Sequence, residues 1–406
     1  MLWQPSLPER YTKADPTRLR DEIDERRERL GERLLILGHH YQVDEVIRHA
    51  DVTGDSLKLC QVAAARAGDG SVEHVIFCGV HFMAETADML TPGGVDVILP
   101  DLSAGCSMAD MADYDDTVEA WELIHETLHD RHGGAWDGRI VPITYVNSSA
   151  AIKAFVGEHG GACCTSSNAA TVFDWAMNGG PEPRRPGEAI KILFLPDQHL
   201  GRNTAASFGI DVDRKTGLYD PTMTAKGLGV GGMSAERVDE SDVLLWAGHC
   251  SVHKLFRPEH CDEIRAAEPD RRILVHPECG KEVVDRADLS GSTGFIIKTL
   301  EAAAPGTKWA VGTEHNLVRR MSRVMAERGV DVRILSDCQC LCTTMYRIDE
   351  PHLLWVLDGL CGIGPDGEAI EPVARNVIDV PEAVRGPALR ALDRMLELVP
   401  AAAGAG

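Results

Sequence analysis

The chain has 406 residues, 44% hydrophobic and 26% charged. That ordinary globular composition excludes disorder over most of the length and leaves room for two or three domains. The 39 Gly and 21 Pro follow no triplet period, which excludes a fibrous protein, and a net charge of −22 argues against a nucleic-acid binder, which needs a basic face.

The N-terminal segment has no apolar core of signal-peptide type. Its second half, 16–30, reads as a charged surface helix. No uncharged apolar run approaches the roughly 20 residues that span a bilayer. These features predict a cytoplasmic protein with no membrane contact. Disulfides are disfavoured there, so some of the 12 Cys become candidates for metal binding or catalysis.

From residue 34 onward a four-part pattern occurs three times. The first part is an apolar strand running into a polar turn. Its copies are Leu34–Tyr41, Ile140–Ser148 and Ile273–Cys279. Such continuous apolar runs suit strands buried on both faces of a parallel sheet. The second part is a small polar turn that opens a helix: Thr53–Ser56, Thr165–Asn168 and Ser290–Thr293. These residue types cap helices, and the free N–H groups there also bind anions. The third part is another strand with a polar exit: Val75–His81, Ile192–His199 and Trp309–His315. The fourth begins with Asp-Val and leads to a Cys: Asp96 to Cys106, Asp242 to Cys250, and Asp331 to the alternating Cys338, Cys340 and Cys342.

Strands alternating with helical stretches predict an α/β fold with parallel sheets. Three copies of about 100 residues predict three similar αβα three-layer domains. We place them at 31–125, 139–255 and 262–345. The helix at 16–30 belongs with the first domain, as do C-terminal helices within 350–398. The glycine-rich segment 208–237 fits none of the four parts and reads as an inserted loop, either a lid or plain surface. The tail from Ala401 reads as disordered.

Ligands of parallel sheets collect at the carboxyl ends of strands, where every polar exit lies. The repeat also supplies one Cys from each copy. Three thiolates can hold a [4Fe–4S] cluster and leave one iron open as a Lewis acid. The chain has no CxxC pair for structural zinc and no ferredoxin-type run. On spacing alone the third cysteine stays open among Cys338, Cys340 and Cys342.

The motifs together resemble the quinolinate synthase A family of NAD biosynthesis. They are His39-His40-Tyr41-Gln42, Gly54-Asp55-Ser56-Leu57, Phe82-Met83-Ala84-Glu85, Tyr145-Val146-Asn147-Ser148, Cys164-Thr165-Ser166-Ser167-Asn168-Ala169, Gly248-His249-Cys250-Ser251-Val252-His253, Val275-His276-Pro277-Glu278-Cys279 and Gly291-Ser292-Thr293-Gly294. The resemblance covers about 31–362. It departs from the family at His40, often Asn there, and at Ser251, often Pro.

This resemblance implies three domains in a pseudo-threefold arrangement around a central [4Fe–4S] cluster and active site. It implies a transferase-type condensation of iminosuccinate with dihydroxyacetone phosphate to quinolinate, phosphate and water. It makes Cys106 and Cys250 cluster ligands. It favours Cys342 as the third, because that Cys precedes a Met by three residues. It lines the substrate site with His39, Ser56, Tyr145, Asn147, Ser166, His253, His276, Glu278, Ser292 and Thr293. We read Glu278 and His276 as acid/base groups, and Tyr41 and Tyr145 as proton shuttles. An aspartate-oxidising enzyme is a candidate transient partner. Two alternatives are another [4Fe–4S] hydro-lyase and an iron–sulfur redox sensor.

Overall fold

The computed structural model describes residues 3–337 and 340–398. The expectations for Cys338 and for the tail from Ala401 fall outside these residues.

The N-terminal helix spans Pro16–Leu30, as its sequence predicts. Asp15 caps it by accepting the Thr17 N–H at 2.8 Å, Pro16 fits the first turn, and Gly31 ends it at φ +57°. Leu19, Ile23, Arg26 and Leu30 form its buried stripe. This face packs on the helix Glu350–Leu360. There the fully buried Asp358 accepts hydrogen bonds from Arg26 Nε and from the Tyr11 hydroxyl, both at 3.0 Å. The buried charge is thereby paired with Arg26, and Arg10 Nη2 lies 3.5 Å from the other Asp358 oxygen.

Each repeat builds one parallel sheet. The first holds β1 (Leu34–His39), β2 (Val52–Gly54), β3 (His74–Cys78) and β4 (Asp96–Ile98). The second holds β5 (Arg139–Tyr145), β6 (Ala162–Cys164), β7 (Ile190–Leu195), β8 (Thr216–Tyr219) and β9 (Val243–Trp246). The third holds β10 (Arg272–Val275), β11 (Leu289–Ser290), β12 (Lys308–Gly312) and β13 (Asp331–Ile334). A short β14 (Val377–Ile378) runs antiparallel on β4.

The strand orders share one core: β4-β3-β1-β2, β9-β7-β5-β6 and β13-β12-β10-β11. In each, the two central strands are the first and third of the copy. The order reverses between them, which is the switch point where doubly wound sheets bind ligands. The central strands β1, β5 and β7 are almost wholly buried, which explains their unbroken apolar runs. The chain is thus α/β with several parallel sheets and helices layered on them.

The described residues form two compact units. One comprises residues through Cys106, Glu314–Arg320 and Leu341–Pro381, and contains the first sheet. The other comprises Ser107–Thr313, Met321–Cys340 and residues from Glu382 on, and contains the second and third sheets.

Two local expectations need correction. The segment 208–237 is not merely an inserted loop, because it contributes β8, which pairs parallel with β9 at the edge of the second sheet. Its flanking glycines obscure so short a strand. The last helix, Glu382–Leu398, does not join the first repeat. It packs on the helix Ala150–Glu158 and on β6 of the second. The contact works because Gly157 has no side chain: a Cβ there would collide with the Pro387 carbonyl oxygen. Arg394 Nη1 secures it at 2.7 Å from the Gly161 carbonyl. Among the described residues no helix is long and apolar enough to cross a membrane.

Candidate active site

The unit holding the second and third sheets brings four nominated side chains together. Tyr145 ends β5. His276 and Glu278 follow β10. His253 lies in a short turn after β9. All four are buried, with His253 fully so. His253 Nδ1 lies 2.6 Å from Glu278 Oε2, and His276 Nδ1 lies 3.6 Å from the same oxygen. The two imidazoles stack at 4.5 Å between centroids. The Tyr145 hydroxyl donates to the Glu278 carboxylate. Thr313 Oγ1 sits 3.1 Å from His253 Nε2 and fixes the far side of that ring.

Burial alone would push the Glu278 carboxyl up. Contact with His253 and then His276, plus the hydrogen bonds from His253 and Tyr145, outweighs burial and holds it at about 2. His276 goes the other way, pushed down to about 3 chiefly by burial. At neutral pH the site therefore pairs a carboxylate with a neutral His276. The Glu278 main-chain N–H donates to His276 Nδ1 at 3.3 Å, so the neutral ring carries its proton on Nε2.

Two buried oxygens at the site are left to accept from a polar ligand. Glu278 Oε1 and Asn147 Oδ1 have no hydrogen-bond partner among the described residues. The turn carrying Asn147 is held from beneath. Thr144 Oγ1 donates to Ser148 Oγ at 2.9 Å, and the fully buried Lys153 ammonium donates to the Ser148 carbonyl. The turn carrying His276 and Glu278 is held by Asn203, whose Nδ2 donates to the Pro277 carbonyl at 2.8 Å and the Cys279 carbonyl at 2.9 Å. Neither Lys153 nor Asn203 stands out in the sequence, because each contributes only to the backbone of a motif it does not belong to.

The nominated serines and threonines of this unit stand where helices open. Ser292 is buried and caps its helix by accepting the Phe295 N–H at 3.3 Å, with Thr293 buried beside it. Ser166 is half-buried in the turn braced by Asn168 Oδ1, which accepts the Thr165 N–H at 2.6 Å.

The other unit carries the remaining nominated residues. His39 is buried at the end of β1, and Tyr41 lies edge-on to it at 4.8 Å. The Tyr41 N–H donates to His39 Nδ1 at 3.2 Å. This is the same contact, two residues on, that orients His276 after β10. Asn316 Nδ2 donates to the Tyr41 carbonyl at 3.2 Å. Arg320, one helical turn later, donates to the His40 carbonyl at 3.0 Å and the Gln42 carbonyl at 2.6 Å. Ser56 is buried in the first turn of the helix Ser56–Ala67.

The cysteines sort by exposure. Of the eleven among the described residues, eight are buried and three are half-buried: Cys106, Cys250 and Cys342. Buried thiols behave as small hydrophobes, whereas ligand thiols must be reachable. Cys340 is fully buried, with its sulfur 3.3 Å from Ser336 Oγ. Cys250, His253 and Glu278 also present ligand atoms within 4.8 Å of one another, a donor set able to hold a metal ion.

Comparison with known proteins agrees with this chemistry. The family model described as "Quinolinate synthetase A protein" matches residues 21–397. A protein of Herpetosiphon aurantiacus named quinolinate synthase is 48% identical over 383 residues, covering 93% of each chain. A quinolinate synthase of Bacillus velezensis is 47% identical, covering 96% of each. One of Corynebacterium glutamicum is 46% identical, covering 98% of this chain and 92% of the relative. With a match of that extent over the residues that build both strand exits and cysteine turns, the chain belongs to the quinolinate synthetase A protein family.

Proposed function

We propose that the chain condenses iminosuccinate with dihydroxyacetone phosphate to give quinolinate, phosphate and water. The observation that carries this reading is the meeting of Tyr145, His253, His276 and Glu278 beside the half-buried Cys250. Membership of a family whose members are named quinolinate synthase supports quinolinate as the product.

The substrates bring two carboxylates and a phosphate into a strongly acidic protein. Local donors must therefore bind them. Ser56, Ser166, Ser292 and Thr293, with the N–H groups of the helix starts around them, suit that task. Asn147, with an unpartnered amide oxygen, suits a substrate N–H or hydroxyl. Glu278 Oε1 is placed to take a proton, because its partner oxygen is already engaged by His253. The Nε2–H of neutral His276 is placed to donate a hydrogen bond to a substrate oxygen. His39 carries its proton on Nε2 by the same backbone contact when neutral. Tyr145 and Tyr41 complete the group as hydroxyls that pass protons to and from substrate oxygens.

We further propose Cys106, Cys250 and Cys342 as the ligands of a [4Fe–4S] cluster. Their selective exposure among the described cysteines supports this choice. When bound, such a cluster supplies an open iron that acts as a Lewis acid toward a substrate hydroxyl. The shared strand order supports three αβα domains, at 31–125, 139–255 and 262–345. Their pseudo-threefold arrangement, the cytoplasmic location and transient contact with an aspartate-oxidising enzyme are part of the same reading.

The test is anaerobic purification, iron and sulfide analysis, and an assay for quinolinate from the two substrates. About four irons per chain with quinolinate formed is the expected result. A cluster without quinolinate would sink the proposed reaction and favour the hydro-lyase or the sensor.

A further inference from the structure

Two buried carboxyl side chains occupy equivalent places in the second and third repeats. Asp197 lies two residues after β7 and Glu314 two residues after β12. Both are fully buried. Asp197 Oδ1 accepts the Leu200 N–H, three residues on, at 2.7 Å. Glu314 Oε2 accepts the Leu317 N–H, also three residues on, at 3.1 Å. Each also receives the N–H two residues on, from His199 and Asn316 respectively. So far these are helix caps.

The last donor is not part of a cap. Asp197 Oδ2 accepts the main-chain N–H of Cys250 at 3.2 Å. Glu314 accepts the main-chain N–H of Cys342. In each repeat one side chain thus ties the start of a helix to a cysteine that follows the neighbouring strand. The first repeat provides the contrast. Its equivalent residue, two after β3, is Val80, which makes no side-chain cap. There the His81 N–H donates to the Ala104 carbonyl at 2.8 Å, a main-chain bond made two residues before Cys106.

We infer that Asp197 and Glu314 are matched positioning residues that hold the backbone of Cys250 and Cys342 for cluster binding. The inference rests on the cluster reading above. A buried carboxyl group whose oxygens accept helix N–H groups is a rigid anchor. A cysteine N–H fastened to it cannot drift when iron is absent. The helix cap then stabilises the ligand turn before any iron arrives. Groups that orient ligands in this way change metal affinity by about 10–100-fold when removed.

The experiment compares Asp197→Ala, Asp197→Asn, Glu314→Ala and Glu314→Gln with wild type. Asp113→Ala serves as a control, because Asp113 caps a helix through the Asp115 N–H but is an exposed side chain of the helix start. The readouts are iron and sulfide after anaerobic reconstitution, the rate at which a chelator strips the cluster, and the thermal midpoint of the apo-protein. The expected result is cluster loss about tenfold faster in both alanine variants, with the control at the wild-type rate. The amide variants are isosteric, so they decide the matter should an alanine variant fail to fold. Asparagine and glutamine offer one oxygen where two are used, and faster loss is expected from them too. Wild-type stripping rates in folded Asp197 and Glu314 variants would overturn the inference. A wild-type protein that takes up no iron and sulfide would instead overturn the cluster reading, and this inference with it.

Discussion

His253 Nδ1 and Glu278 Oε2 stand 2.6 Å apart, and both side chains are buried. That contact acts together with His276 and the Tyr145 hydroxyl on the Glu278 carboxyl. The contacts with His253 and His276 and the hydrogen bond from Tyr145 keep Glu278 ionised despite burial. Glu278→Gln replaces the acceptor by a neutral amide of the same shape. We expect kcat to fall by about 10²–10⁴-fold, the usual contribution of a positioned acid or base. The apo-protein should still fold, with its thermal midpoint changed far less than its rate. Full activity in the variant would remove Glu278 from the chemistry.

The depressed pKa of His276 makes a separate statement about stability. Its folded value is about 3, against about 6.5 for an unfolded histidine. Between those values the unfolded chain binds the extra proton, so stability rises with pH across the window. The contribution is complete above pH 6.5 and is lost as pH falls toward 3. One proton corresponds to a slope of about 1.4 kcal/mol per pH unit. His276→Gln should flatten the dependence of apo-protein stability on pH by about that slope between pH 4 and 6. Denaturant titrations at several pH values would measure it, and an unchanged slope would refute the assignment.

Asn203 touches the site only through main-chain carbonyls. Its amide donates to Pro277 and Cys279, which flank Glu278. Asn203→Asp turns two hydrogen bonds into contacts between a carboxylate and two carbonyl oxygens. Loss of these half-buried bonds should cost about 1–3 kcal/mol. The same change should lower kcat/KM, because the His276–Glu278 turn loses its brace. Asn203→Ser, shorter but neutral, should recover part of both. Equal behaviour of the two variants would show that the brace does not reach the site.

Much of this was legible in the sequence, and the reasons are local. Strands β1, β5 and β7 announce themselves because burial on both faces demands continuous apolar runs. The short edge strands β2, β6 and β11 are hidden because they are two or three residues long and merge into the Thr, Ser and Gly turns after them. Strand β8 is masked by its glycine-rich surroundings. The site motifs are visible because strand exits recur. Asp197 and Glu314 do carry a signal, since they share one offset from their strands, but only the hydrogen bonds show what the offset is for. Lys153, Asn203 and Arg320 carry none, because a side chain that grips another segment's backbone needs no sequence partner.

Gly157 tests the unexpected placement of the C-terminal helix. A Cβ at this position would meet the Pro387 carbonyl, a backbone atom that cannot swing aside. Gly157→Ala should therefore push the helix Glu382–Leu398 off its seat, although alanine is the better helix former. We expect a loss of about 1–3 kcal/mol in denaturant unfolding, typical of overpacking. Removing residues from Glu382 onward in the same background should then cost less than it does in wild type. A Gly157→Ala protein as stable as wild type would mean that this packing is not tight.

The choice between Cys340 and Cys342 is the sharpest remaining division. Cys340 is fully buried, and its sulfur contacts Ser336. Cys342 is half-buried, sits 3.4 Å from Thr344 Oγ1 and has its N–H held by Glu314. A ligand sulfur must be able to reach iron, and a fully enclosed one would first have to open its surroundings. Cys342→Ala should abolish assembly of a complete cluster, leaving iron and sulfide well below the wild-type content and removing quinolinate formation. Cys340→Ala should keep both, at a modest cost in thermal midpoint from the small cavity it leaves. Iron analysis on the pair, after identical anaerobic reconstitution, separates them. The reverse pattern would make Cys340 the ligand.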